Sequence, residues 1–353
     1  MKKAFVLGLA LLMALLIAMP VMAGGGGQSG SAAGGKKAIN IGVLVWKYDD
    51  AYGSTVRAGM TKWAKTFGDE LGLTINLEMQ DAGDIMSRQL EQAQIMFAKK
   101  PDIVIINLAE VASGQALVEI AQQNKVPFIW YNKEPTPETI KATVIDTKSI
   151  FIGTTPREAG DMQGEILADL YNKDKSIDKN GDGILQYVMF QGEPNNPEAI
   201  ARTQYSVETA EKNGLKLQRL GPINVASWDQ GTAQDQMVAA IAQFGADKIE
   251  VVFGNNDQMA MGAVAALNAV GYNTGGSAPK AVVIGVDAVD SALESIKAGG
   301  MTATVQQDGD AMGKANIRIA INGALGKPWL DGTDYKLSED GYSIRIPYAK
   351  ITN

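Results

Sequence analysis

Short apolar runs alternate with amphipathic segments along most of the chain. Residues 39–45 form an apolar run with β-branched side chains, and the next segment carries Val56, Met60 and Phe67 at helical spacing. The run 102–107 (DIVIIN) is typical of a buried parallel strand. In the second half, the pattern predicts strands at 150–153, 184–190, 216–222, 249–253, 281–286 and 302–306. It predicts helices at 156–172, 197–213, 230–245, 256–270, 289–299 and 309–326.

This alternation predicts an α/β protein with two doubly wound parallel-sheet domains. Strands followed by helices form parallel sheets that are covered by helices on both faces. The chain has 353 residues, which suits two domains at roughly 100–200 residues each. Ligands of open α/β sheets bind beyond the carboxyl ends of the strands, so the residues that follow each strand are the first candidates for a site.

Most strand ends carry a planar polar side chain, and some carry an aromatic one. A pyranose has hydroxyls around its rim and C–H patches on its faces, so carboxylates, amides and guanidinium groups could bind the rim while aromatic rings stack on the faces. For any single position, a helix N-cap or a turn former explains Asn or Asp equally well. The candidates are Asp50, Tyr52, Asn107, Asn196, Glu198, Arg202, Trp228, Asn256, Asp287 and Gln307.

The composition narrows the function classes. The net charge is −7 and there is no histidine or cysteine. An acidic chain lacks the basic surface that nucleic-acid binding needs. Without His and Cys, the protein has no Ser-His-Asp or Cys-His catalysis, no zinc site built on those ligands and no disulfide. Carboxylate, Lys or Tyr catalysis is still open, but we expect no enzyme.

The N-terminus predicts export. Residues 1–23 combine Lys2 and Lys3 with an apolar run and small residues at a cleavage site, which is the pattern of a signal peptide. A retained membrane anchor is the alternative. Residues 24–37 read as a flexible Gly-rich leader. We therefore expect a soluble periplasmic protein.

The segment DKNGDGILQ (178–186) follows the spacing of an EF-hand calcium loop. Asp178, Asn180 and Asp182 fall on loop positions 1, 3 and 5, Ile184 offers its carbonyl oxygen and Gln186 a side-chain oxygen. The last position falls on a methionine, which does not bind calcium. Either the site is inactive, or the missing carboxylate comes from elsewhere, or the segment is a surface turn.

Several motifs together resemble one family. The segments KYDDAY (47–52), YNKEP (131–135), DKNGDGILQ (178–186), GEPNNPEAIAR (192–202) and KIEVVFGNNDQMAMGA (248–263) are similar to the pentose/hexose-binding family of ABC-transporter substrate-binding proteins, in its glucose/galactose branch. The resemblance runs from about residue 39 to the C-terminus. It implies a periplasmic binding protein of type I, in which two lobes joined by a three-strand hinge close around a sugar.

The resemblance also implies lobe boundaries and residue roles. Residues 38–130 and 307–345 would form the first lobe, and residues 131–306 and 346–353 the second, with hinge crossings near 128–132, 305–308 and 343–347. All ten candidates fall on sugar-contact positions, with Tyr52 and Trp228 as the stacking rings. Glu250 falls on the carboxylate that completes the calcium site. The implied partners are D-glucose or D-galactose, an inner-membrane ABC permease and, further, a chemotaxis receptor. A monomer without nucleic acid is expected.

Four departures from the family pattern leave the sugar open. Tyr52 replaces Phe, Asn196 replaces His, Glu198 replaces Asp and Gln307 replaces Asn. A pentose or an autoinducer-type sugar is therefore an alternative ligand. A carboxylate glycosidase that pairs Glu198 with Asp287 is a weaker one. A regulator of the lac-repressor family would need a DNA-binding motif where this chain has its apolar start.

Overall fold

A computed structural model describes residues 38–140 and 149–352. The predicted signal peptide and Gly-rich leader lie outside these residues, as does Asn353. The strands are Ala38–Val45 (β1), Thr74–Asp81 (β2), Ile103–Ile106 (β3), Phe128–Tyr131 (β4), Ile150–Gly153 (β5), Leu185–Gln191 (β6), Leu217–Arg219 (β7), Asn224–Val225 (β8), Val251–Gly254 (β9), Val282–Asp287 (β10), Ala303–Gln307 (β11), Ser343–Arg345 (β12) and Tyr348–Thr352 (β13).

The helices follow the strands as the apolar spacing predicts. They are Ala51–Leu71 (α1), Met86–Ala98 (α2), Gly114–Asn124 (α3), Pro156–Lys173 (α4), Pro197–Lys212 (α5), Gln230–Phe244 (α6), Asp257–Ala269 (α7), Asp290–Ala298 (α8) and Gly309–Ala324 (α9). The sequence prediction of strand–helix alternation is confirmed through both halves of the chain.

Two sheets form the centres of two lobes. The first has the strand order β12-β5-β4-β3-β1-β2, and its pairings are parallel. The second has the order β13-β11-β10-β9-β6-β7, with β8 on β6, and only β13 runs antiparallel to its neighbour. Apolar side chains cover both faces of each sheet, so the central strands are continuous apolar runs, whereas the edge strand β2 alternates.

Helix α5, which carries two candidate residues, is held against α4 by close backbone contact. A Cβ atom on Gly164 of α4 would lie 2.7 Å from the backbone nitrogen of Ala210 in α5. Only glycine permits this approach, because a real Cβ does not come so close to another atom. The packing fixes α5 and therefore its first turn, which faces the first lobe.

The predicted lobe boundary at residue 130 is wrong. Strand β5 pairs with β4 in the first sheet, with Ile150 opposite Ile129. The first lobe therefore continues to Gly153, and the hinge crossing expected near 128–132 lies inside that lobe. The chain crosses between the lobes after β5, after β11 and between β12 and β13. Strand β5 is as apolar as the strands of either sheet, so its own sequence does not reveal its partner.

Candidate ligand-binding cleft

A polar cavity lies between the lobes at the carboxyl ends of the strands. It measures about 40 Å³, and it is small because the lobes meet across it. Lys133 of the first lobe bonds Glu193 of the second at 3.0 Å. The lining residues are Trp46, Asp50, Tyr52, Asn132, Lys133, Asn196, Glu198, Arg202, Trp228, Asn256, Asp287 and Gln307. Nine of the ten predicted site residues are among them.

Asn107 is the predicted residue that does not line the cavity. Its side-chain oxygen accepts a hydrogen bond from the backbone N–H of Lys133 at 3.3 Å, and its carbonyl oxygen accepts one from Gln89 at 2.7 Å. Asn107 thus supports the segment that carries Asn132 and Lys133. The strand-end argument placed it at the right edge of the sheet but did not fix where its amide points.

On the first lobe, Asp50 and Tyr52 lie at the start of α1. Asp50 is the N-cap, and its carboxylate accepts the backbone N–H of Gly53. Burial raises the pKa of Asp50, and this N–H together with the charges of Arg57, Lys47 and Lys133 offsets part of the rise. The helix start therefore presents an acceptor and an aromatic ring to the cavity side by side.

On the second lobe, the starts of two helices supply polar groups. Asn196 caps α5, with its side-chain oxygen 2.9 Å from the nitrogen of Glu198, and Glu198 pairs with Arg202 one turn later at 3.1 Å. Asn256 caps α7 and accepts the N–H of Met259 at 2.9 Å. The capping explanation and the binding explanation are thus compatible, since a side chain can cap its helix and still face the cavity.

Asp287 is the most unusual carboxylate in the cleft. It ends β10 with φ at 122°, where non-glycine residues are rare and strained. Its carboxylate accepts no hydrogen bond from any residue in the described part of the chain. Burial raises its pKa far above the usual value; Arg202 opposes this rise and Asp257 adds to it. A buried acceptor without a donor is poised for a ligand hydroxyl.

Three buried donors in the cleft also have no protein partner within the described residues. They are the hydroxyl of Tyr52, the indole Nε1 of Trp228 and the Nε of Arg202. Native proteins bond most buried polar atoms, so three such atoms around one cavity indicate that a ligand completes them. The Trp228 ring lies directly over Gly192, where a Cβ would approach to 2.3 Å.

The calcium-like loop lies at the other end of the second sheet's strands. The carboxylate of Asp178 accepts the N–H groups of Gly181 at 2.7 Å and Gly183 at 2.8 Å. Glu250 is buried below the loop and accepts the N–H groups of Lys179 at 2.5 Å and Gln186 at 2.8 Å. Within the described residues, no three acidic side chains already surround a common point.

The match to known proteins decides the family. Residues 41–328 match the model of the periplasmic binding protein domain. This chain belongs to that family. A D-galactose/methyl-galactoside binding periplasmic protein, MglB of Haemophilus influenzae, is 33% identical over 91% of this chain and 92% of its own length. The resemblance deduced from the motifs is confirmed.

Solved structures of two solute-binding proteins share the fold. One, from Bacillus halodurans with bound myo-inositol, has a TM-score of 0.71 at 24% identity and covers 90% of this chain and 96% of that one. The other, from Actinobacillus succinogenes with bound D-allose, has a TM-score of 0.72 at 19% identity, with coverages of 89% and 97%. The type I periplasmic binding fold, with two parallel-sheet lobes, is confirmed.

As a periplasmic binding protein, the chain is not an enzyme. The glycosidase alternative fails with that assignment. None of the helices in residues 38–140 and 149–352 has the length and apolarity needed to cross a membrane.

This periplasmic binding protein has three cavity residues that the sequence analysis did not select: Trp46, Asn132 and Lys133. Trp46 and Asn132 directly follow β1 and β4, so the strand-end rule could have found them. Lys133 is buried, with its Nζ 2.8 Å from the carbonyl oxygen of Ala109 and 4.4 Å from the Trp46 ring centre. The sequence does not indicate that this lysine lines a cavity, because most lysines that follow a strand are exposed.

Proposed function

We propose that the chain is an exported periplasmic receptor that captures a free monosaccharide, with D-glucose and D-galactose as the leading candidates, and delivers it to an ABC permease. The observation that carries the proposal is the ring of planar polar groups and three aromatic side chains that line one cavity between the lobes. Asp50 and Asp287 supply acceptors for sugar hydroxyls, while Arg202 and Asn256 supply donors. A chemotaxis receptor stays a predicted further partner.

Domain closure follows from the same arrangement. A pyranose can enter only when the lobes separate, and it contacts both sets of residues only when they close. The sugar therefore shifts the equilibrium toward the closed arrangement, because it binds that arrangement more tightly than the open one. Tyr52 belongs to one lobe and Trp228 to the other, so a ring stacked between them needs both lobes in place.

The test is isothermal titration of the purified protein with a sugar panel. D-glucose and D-galactose should release heat and saturate one site, and L-glucose, which has the same groups in mirror-image positions, should not bind. Strong binding of D-ribose, D-allose or myo-inositol without binding of D-glucose or D-galactose would support the alternative of a different ligand, which the departures at Tyr52 and Glu198 leave open. Silence with the whole panel would contradict the proposal.

We further infer that the loop 178–186 takes a calcium ion. The donors are hard oxygens, as calcium prefers: the side chains of Asp178, Asn180, Asp182, Gln186 and Glu250 and the carbonyl of Ile184. Burial raises the pKa of Glu250 and the charge of Asp178 adds to this rise, while the N–H groups of Gln186 and Lys179 oppose it.

The loop as it stands would need a small rearrangement around the ion. The amide nitrogens of Asn180 and Gln186 donate to Asp182 at 2.9 and 3.2 Å. Bound calcium would replace these two contacts with oxygen ligands. The ion would supply a positive charge among three carboxylates and so stabilise the fold; it would take no part in sugar binding.

A further inference from the structure

The three hinge crossings meet at one buried ion pair. Thr154 lies in the crossing directly after β5, Gln307 is the last residue of β11 before the second crossing, and Tyr348 is the first residue of β13 after the third. All three hydrogen-bond to Glu198 or Arg202, the pair on the first turns of α5. The pair also lines the cavity. One pair of side chains thus touches every covalent connection between the lobes and the candidate ligand site.

The carboxylate of Glu198 is largely occupied by protein. Its Oε1 accepts the hydroxyl of Thr154 at 2.7 Å. Its Oε2 accepts Nη2 of Arg202 at 3.1 Å and the hydroxyl of Tyr348 at 3.0 Å. A carboxylate offers about four acceptor positions, so three are used by these partners, and two of the partners lie in or next to a hinge crossing.

The guanidinium of Arg202 is anchored in the same network. Its Nη2 also lies 3.0 Å from Gln307 Oε1 and 2.9 Å from the Tyr348 hydroxyl, and its Nη1 donates to the carbonyl oxygen of Asn255 at 2.7 Å. The Nε of Arg202 is buried and has no partner among the described residues. Nη2 therefore contacts the residues at the hinge crossings, Nη1 is bonded to Asn255, and Nε is left for the cavity.

We propose that Glu198 is a positioning residue, which holds Arg202 against the three hinge crossings instead of binding the ligand itself. This inference rests on the proposed sugar-binding function and revises the direct ligand contact that the sequence analysis predicted for Glu198. Thr154 lies in the crossing after β5, so a hinge movement that shifts Thr154 relative to α5 also changes how Glu198 holds Arg202 toward the ligand. Closure and the Arg202 contact then form together.

Titration calorimetry with D-glucose and a set of monodeoxyglucoses tests this on wild type, Glu198→Gln, Tyr348→Phe and the double variant. Each single change should weaken affinity about tenfold, since each removes a hydrogen bond of a charged network. The double variant should bind no more than about tenfold more weakly, because both changes break the same network. The factor by which Glu198→Gln weakens affinity should be the same for D-glucose and for every deoxy sugar.

A direct ligand contact would give a different result. If Glu198→Gln weakens the binding of D-glucose but not of one particular deoxy sugar, Glu198 binds the hydroxyl that this sugar lacks, and the inference is wrong. Additive losses in the double variant would also overturn it. Tyr335→Phe, which removes a hydroxyl outside the network, should bind like wild type.

Glu198→Asp adds a check that does not depend on the loss of charge. The shorter side chain keeps its carboxylate but cannot reach Thr154 and Tyr348 together, so affinity should fall as it does for Gln; wild-type affinity would contradict the inference. Melting curves of all variants show whether they fold. If the wild type binds no sugar in the panel, the proposed function itself fails, and this inference fails with it.

Discussion

The cleft and the calcium-like loop satisfy their polar atoms in opposite ways. In the cleft, the hydroxyl of Tyr52, the indole nitrogen of Trp228 and Nε of Arg202 are buried without protein partners. In the loop, the carboxylates of Asp178 and Glu250 each accept two backbone N–H groups. The cleft therefore depends on a ligand to complete it, whereas the loop can keep its shape without one.

The two sites are also assembled differently from the sequence. Five of the six predicted calcium donors lie within nine consecutive residues, so the backbone itself determines most of the loop. The cleft gathers side chains from strand ends that are far apart in the chain, and only the two folded sheets bring them together. Loss of a cleft residue should thus affect binding, and loss of a loop residue should affect stability.

The largest expected effect is the loss of sugar affinity on Asp287→Asn. Ligand hydroxyls that donate to the carboxylate, together with the charge of Arg202, favour the charged form against burial. The amide cannot provide this charge-assisted acceptor, which is worth about 2–3 kcal/mol, or a factor of about 30–150 in Kd. Titration calorimetry measures the change. Asp290→Asn, an exposed acid three residues later, is the matched control and should not alter affinity. An unchanged Kd for Asp287→Asn would remove this residue from the site.

Calcium removal should lower the melting temperature and leave sugar affinity within twofold. At calcium levels about 100 times Kd, the ion contributes about 2.7 kcal/mol, which corresponds to a shift of about 5 °C for a domain of this size. Differential scanning calorimetry with calcium or with chelator measures the shift. Asp182→Asn and Glu250→Gln should abolish it, and Asp174→Asn, on a neighbouring acid, should keep it. Equal melting curves in calcium and chelator would contradict the calcium proposal.

The pH dependence of stability should carry a contribution from Asp257 below the cleft. Burial raises its pKa to about 7, although Thr304 and the N–H of Val289 bond its carboxylate. The folded state therefore holds this proton to higher pH than the unfolded state does. The resulting stability is present below about pH 4 and is lost as the pH rises through about 7.

Melting temperatures measured from pH 4 to 8 test this. The buffer contains chelator, so that pH-dependent calcium binding to the loop does not contribute. Asp257→Asn should flatten the decline of stability over that range. If the stability of the variant falls with pH as steeply as that of the wild type, other groups such as Asp50 and Asp287 account for the pH dependence.

The smallest expected effect is that of Tyr52→Phe, and it should have opposite signs in two measurements. Removing a buried hydroxyl without a protein partner should leave the melting temperature of the ligand-free protein equal or slightly higher. Sugar affinity should fall about fivefold, because the ligand loses one neutral hydrogen bond of about 1 kcal/mol. A lower melting temperature with unchanged affinity would show that the hydroxyl serves the fold instead.

Periodicity alone predicted the elements closely. The helix predicted at 230–245 is Gln230–Phe244, and the strand predicted at 302–306 is Ala303–Gln307. The strand predicted at 216–222 is shorter, Leu217–Arg219, because Gly221 has φ at 73° and Pro222 follows it. Local patterns fix where elements lie, since helix and strand periods are properties of short segments.

What the sequence could not supply is pairing and direction. Strand β5 lies in the first sheet and not in the second, where it was predicted, because its four buried apolar residues would fit either sheet. Asn107 sits at a correct strand end but turns to the backbone of Lys133. The cleft residues themselves were found because parallel strands bring their carboxyl ends to one edge. Which ligand hydroxyls these residues bind depends on the directions of their side chains, and the spacing of residues in the sequence does not determine those directions.

The chain's three crossings also constrain its biosynthesis. Strands β12 and β13 are the last two, and one belongs to each sheet. Neither lobe is a continuous stretch of chain, so neither sheet can be completed until nearly the whole polypeptide has been made. Early folding of an N-terminal unit, common in multidomain chains, is thus limited to an incomplete sheet. A newly made chain therefore stays incompletely folded until its last two strands have been added.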